Sequence, residues 1–144
     1  MMRAVIAIAS VATWAVFGVA IPILGYSKGT SRNVSVHVLA EPFKDSDALV
    51  YEWRGDVYRS CPIELRRYIV DANDVVTTMR ALSFGALPRA ELGVAAYELK
   101  VEVPLSIEEG PATYYVSELA KCSWLQRVRP IAYDYPPVHF NVER

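Results

Sequence analysis

From Ala4 to Tyr26 the chain carries no charged residue, and a run of that length has few places to go. As a helix rising ~1.5 Å per residue it would be about 34 Å long, slightly more than the roughly 30 Å hydrocarbon core of a bilayer. A tilted transmembrane helix over residues 1–26 is the first expectation. Pro22 falls within the last turn or two, where a missing N–H disturbs less than at the centre, and Tyr26 stands where an aromatic ring favours the headgroup level. The competing reading is a cleaved signal peptide, with Arg3 as a short basic head and Gly18-Val19-Ala20 as the processed site. Signal cores run about 7–15 apolar residues, whereas this one continues through Ile21, Ile23 and Leu24, so length favours an anchor.

The polar stretch 27–32 (Ser-Lys-Gly-Thr-Ser-Arg) reads as a tether, which leaves residues 33–144 for a single domain. Fifteen basic against sixteen acidic side chains bring the whole chain to a formal charge of −1. It therefore lacks the broad positive field that binding to a phosphate backbone requires, and nucleic acid is not an expected partner. The 53% apolar fraction is high because the excess sits at the N-terminus.

After the tether, apolar residues recur every second position. Val34, Val36 and Val38 share one face, as do Leu49, Tyr51 and Trp53; Tyr97 to Val103 sets four apolar residues against a Glu98-Lys100-Glu102 row. Half-solvated alternation of this kind predicts antiparallel sheet. Further strands are expected over 63–70, 75–80, 113–116, 131–133 and 138–142, with 63–70 and 75–80 joined as a hairpin by Asp71-Ala72-Asn73-Asp74. Turns are expected at Arg54-Gly55-Asp56, Glu109-Gly110-Pro111 and Pro136-Pro137. Over 116–125 a helix face (Val116, Leu119, Ala120, Trp124) competes with a bending strand.

About eight short strands in this length predict a mainly β, antiparallel sandwich, with a small barrel second. At fold level the interval from Cys61 to Cys122, with Gly110 ahead of Tyr114, resembles an immunoglobulin-like sandwich. That resemblance implies a disulfide between sheets. The chain departs from the pattern in having no Trp at the usual distance after Cys61, and in placing Ala120 where the corner tyrosine would stand.

Two cysteines allow one pairing. Closing a loop of about 60 residues is worth about 4 kcal/mol in the chain-entropy model, and it requires an oxidising compartment. The bridge Cys61–Cys122 and an extracytoplasmic C-terminal domain therefore support each other. Around the two cysteines cluster Arg59, Arg66 and Arg67, and Lys121, Arg127 and Arg129, a candidate site for an anion or an acidic partner.

No catalytic, metal-binding or cofactor-binding signature is present. His37 and His139 have no ligand-spaced neighbours. Arg54-Gly55-Asp56 matches an adhesion tripeptide but reads as turn chemistry, and Asn33-Val34-Ser35 is a glycosylation sequon close to the expected membrane surface. Tyr114, Tyr115, Trp124, Tyr133 and Tyr135 are either core or contact surface. The expectation is thus a single-pass membrane protein with a non-enzymatic binding or assembly module in an envelope, cell-surface or virion membrane. The bilayer would hold the helix, and another protein would meet the β-domain. A cleaved, secreted domain that binds a soluble ligand is the alternative, and a small hydrolase the distant third.

Overall fold

Alternating apolar residues need a second apolar surface to cover them, and in this chain two antiparallel sheets supply it for each other. The computed structural model describes residues 29–42, 48–88, 91–130 and 132–143. The expected membrane span, 1–26, lies outside them; among the described residues no helix is long and apolar enough to cross a membrane.

The strands are β1 (Ser31–Ala40), β2 (Ala48–Val57), β3 (Ile63–Val70), β4 (Val76–Phe84), β5 (Gly93–Glu102), β6 (Gly110–Ala120), β7 (Ala132–Asp134) and β8 (Val138–Val142), with one short helix, α1 (Trp124–Val128), between β6 and β7. One sheet has the order β1-β2-β5. The other runs β4-β3-β6-β7, with β8 also paired to β6, and all pairings are antiparallel. The arrangement is sandwich-like.

Register explains which residues fill the middle. On β2 and β5, Leu49, Tyr51 and Trp53 lie opposite Val101, Leu99 and Tyr97, so these side chains share the inner face. In the other sheet Ile69 lies opposite Tyr114, and Ala112 opposite Phe140. Leu49, Ile69, Tyr114 and Val142 are essentially solvent-free, and the Tyr51 and Tyr114 rings meet across the core with centroids 5.9 Å apart. The expected hairpin is present. Asp71 Oδ1 accepts from the backbone N–H of Asn73 (2.9 Å) and Val75 (3.0 Å), the side-chain-to-backbone bonding that makes aspartate a turn-former.

Four expectations need correcting. Ser31 and Arg32 belong to β1, paired with Val57 and Asp56, and Gly29 and Thr30 are buried; the stretch 27–32 is thus not a free tether throughout. Arg54-Gly55-Asp56 is strand rather than turn, because Gly55 leaves room for the Trp53 ring: a Cβ there would lie 2.8 Å from Trp53 Cη2. The 116–125 ambiguity resolves into both forms, since β6 continues to Ala120 and α1 begins only at Trp124. Cys61 and Cys122 do meet, with sulfurs at 1.96 Å and Cα atoms 4.9 Å apart. They flank β3 and β6, which are neighbours in one sheet, so the bridge does not join the two sheets.

Candidate functional site: an apolar cavity at the open edge

The two edges of the sandwich differ. Along one edge β1 and β8 approach each other. Along the other, β5 pairs only with β2 and β4 only with β3, and no strand lies between them among the described residues. Inner-face side chains there are left uncovered: Tyr97 is 45% exposed, Leu99 37% and Phe84 48%. Residues that alternation assigns to the core are thus open to solvent on this side.

Between the sheets at this edge lies a cavity of about 360 Å³. Tyr51, Trp53 and Val57 of β2 form one wall, Ile63 and Leu65 of β3 the other, and Tyr97, Leu99 and Phe84 flank the mouth. Its lining is nearly all apolar, with Arg59 and Glu91 among the few charged residues that reach it. The hydroxyl of Ser60 donates to the carbonyl of Leu87, which ties the segment after β4 to the disulfide end. The Trp53 ring contacts Tyr97 (5.8 Å between centroids) and Tyr135 (6.1 Å). Its buried Nε1–H has no acceptor among the described residues. A buried donor without a partner costs about 1–3 kcal/mol, which an acceptor on an incoming molecule would relieve.

The floor of the cavity is where the chain joins the sandwich. Thr30 and Ser31 line it, beside Tyr135. Glu118, fully buried on β6, accepts from the Thr30 backbone N–H (2.6 Å) and from the Tyr135 hydroxyl. Burial pushes the Tyr135 hydroxyl far above its ordinary pKa, and the adjacent Glu118 carboxylate adds to the shift. Tyr58 completes the clamp: its hydroxyl donates to the Gly29 carbonyl (2.7 Å), and its N–H to the Thr30 carbonyl (3.0 Å).

The cationic residues singled out from the sequence are only partly gathered. Arg66 and Lys121 share one carboxylate, Glu64, at 3.3 and 3.0 Å. These two contacts, Lys121 first, hold the Glu64 pKa below the ordinary carboxylate value. Arg67 is directed elsewhere: it is in register with inner-face Val116, and its guanidinium donates to the Arg80 carbonyl. Arg59 lies over the Tyr58 ring at 5.3 Å and lines the cavity. Arg127 and Arg129 are exposed in and just after α1. His37, in register with Glu52, and His139, whose Nδ1 lies 3.1 Å from Thr113 Oγ1, are on different sheets, and neither lines the cavity. Among the described residues no group of three His, Cys, Asp or Glu side chains is placed to hold a metal ion.

Glu118, Phe84 and the open character of Tyr97 and Leu99 escape sequence reasoning. A period-two pattern marks an apolar face but not whether a neighbouring strand covers it. Compared with known proteins, the chain matches no family model and no curated relative at a significant level.

Proposed function

We propose that this chain is a single-pass, membrane-anchored binding or assembly module of an envelope, cell-surface or virion membrane, without enzymatic activity, whose extracytoplasmic domain is an immunoglobulin-like sandwich. Strand order supports the fold assignment. Such sandwiches put their first, second and fifth strands in one sheet and their third, sixth and seventh in the other. Here β1, β2 and β5 follow the first rule; β3, β6 and the β7–β8 pair follow the second, with the last strand divided around Pro136-Pro137. β4 pairs with β3 rather than β5, and that shift leaves the outer edge of β5 without a neighbouring strand among the described residues.

The uncovered β5 edge carries the functional reading. No described strand pairs with the outer side of its backbone, and its inner face opens onto an apolar cavity, the combination that lets an extended partner segment add as a strand and seat alternate side chains. The partner is therefore another protein, received along Gly93–Glu102. A photoreactive residue at Leu99 in the full chain, in its native membrane, should yield a protein adduct. One at Lys100, on the opposite face, should yield much less. Equal labelling at both positions, or adducts to lipid alone, would refute the reading.

A second reading, a cleaved domain that binds a soluble ligand, draws on the cavity volume and the unpaired Trp53 Nε1–H. It requires a mature chain that begins after Ala20, and a small molecule carrying an acceptor that stays with the protein in native mass spectrometry.

A further inference from the structure

The point at which β1 begins limits how far the domain can stand from a membrane. Gly29 and Thr30 are buried, and Thr30 is held by both Glu118 and Tyr58. If residues 4–26 cross a bilayer, only Ser27 and Lys28 separate Tyr26 from the clamped Gly29, a reach of about 11 Å at full extension. The end of the sandwich that holds Gly29 must then face the headgroups closely.

What lies at that end suits the position. The starts of β1, β3 and β7 and the ends of β2, β4 and β6 meet there, with the disulfide and α1. α1 offers Trp124 (72% exposed) and Val128 (78%) to solvent. Between and after them come Arg127 and Arg129, both exposed and neither paired with an acid among the described residues. Most acids at this end are engaged: Glu118 is buried, Glu64 is shared by Lys121 and Arg66, and Asp56 accepts from Asn33, while Glu91, just before β5 at the cavity, is exposed. The opposite end, with the β3–β4 and β5–β6 turns, carries Asp71, Asp74, Glu108 and Glu109. The domain is thus polarised, with cations and an exposed indole at the tether end and acids at the far end.

We propose that the tether end of the sandwich docks on the anionic headgroup layer of the membrane that holds residues 4–26, with Trp124 and Val128 at the interface and Arg127 and Arg129 against lipid phosphates. Trp favours the headgroup level because its ring is apolar and its N–H polar, and arginine pairs with phosphate through a fork of donors. The inference rests on the anchor reading and adds an orientation: the open β5 edge stands upright beside the membrane, accessible from the side.

The test uses the full chain in phosphatidylcholine–phosphatidylglycerol vesicles carrying brominated lipid, a quencher of tryptophan fluorescence. In the Trp14→Phe chain, bromine near the headgroup end of the acyl chains should quench about half of the emission, and Trp124→Phe in addition should abolish that quenching because Trp53 is interior. Arg127→Glu with Arg129→Glu should at least halve the quenching. The Trp124→Phe chain, which keeps Trp14, reports the anchor separately through mid-bilayer bromine. Quenched Trp14 with unquenched Trp124 would overturn the docking and leave the anchor standing; unquenched Trp14 would overturn both.

Discussion

Removing the Glu118 carboxylate tests whether the segment that leads into β1 is held by the buried hydrogen bonds at Thr30. In Glu118→Ala the Thr30 N–H and the Tyr135 O–H both lose their acceptor in a fully buried place. At about 1–3 kcal/mol for each orphaned group, the cost is about 2–6 kcal/mol, lowered somewhat because a buried charge is also removed. Glu118→Gln keeps one acceptor and the shape, and should cost about 1–2 kcal/mol, the difference between charge-assisted and neutral hydrogen bonds. Urea unfolding of the full chain in detergent, followed by tryptophan emission in a Trp14→Phe, Trp124→Phe background that leaves Trp53 alone, measures the global effect, and amide exchange measures the local one. The Thr30 and Ser31 amides should lose protection in Glu118→Ala well before those of β8. A destabilisation below ~1 kcal/mol, with Thr30 still protected, would refute the clamp and the short tether built on it.

Other consequences are independent of Glu118. Replacing both cysteines by serine should cost about 4 kcal/mol, given a sequence separation of 61, and reductant should lower the melting temperature of the native chain but not of the variant. Gly55→Ala should destabilise by about 1–3 kcal/mol, because its Cβ would lie 2.8 Å from Trp53 Cη2 and 3.2 Å from Val34 Cγ2; a neutral result would mean that the indole can shift into the cavity. The Asp71 carboxyl is held below its ordinary pKa first by the Val75 N–H and also by the Asn73 N–H, against an opposing effect of burial. Its contribution is therefore fully present above the ordinary aspartate value and is lost as pH falls below about 4 towards the depressed one, so Asp71→Asn should flatten the acid limb of the urea midpoint. Tyr135 works in the opposite direction. Its hydroxyl pKa is raised by burial, so stability present below pH ~10 is lost as pH rises beyond it, and Tyr135→Phe should blunt that alkaline loss.

Most strands were legible because alternation needs no knowledge of partners. β3 and β8 coincide with their predicted ranges, and Asp71 to Asp74 marks the hairpin between β3 and β4. Strand ends were harder where the pattern lapses: Gly93-Val94-Ala95-Ala96 has no polar alternation, yet it pairs residue for residue with Arg54 to Val57. Gly55 misled for a physical reason. Glycine between charged residues is turn chemistry, but here it serves the close packing of a tryptophan two residues earlier on the same strand. The cysteine pair was legible as a pair but not as a link within one sheet, because that depends on which strands become neighbours. The cavity was invisible for the same reason. Tyr97 and Leu99 have the sequence signature of core residues, and they are exposed because β5 has a neighbour, β2, on one side only among the described residues. Glu118 carries no local mark of burial, since nothing near it in the sequence shows that Thr30, 88 residues earlier, would present its N–H to it.

The central claim is an anchored chain that displays its sandwich on the oxidising side of a membrane. Labelling intact cells or particles with a membrane-impermeant amine reagent, followed by alkaline carbonate extraction and thiol titration, tests it most directly. The account predicts labelled protein in the carbonate-resistant pellet, with thiols that react only after reduction. Label that appears only after lysis, release of the chain into the carbonate supernatant, or two free thiols in the native protein would contradict it.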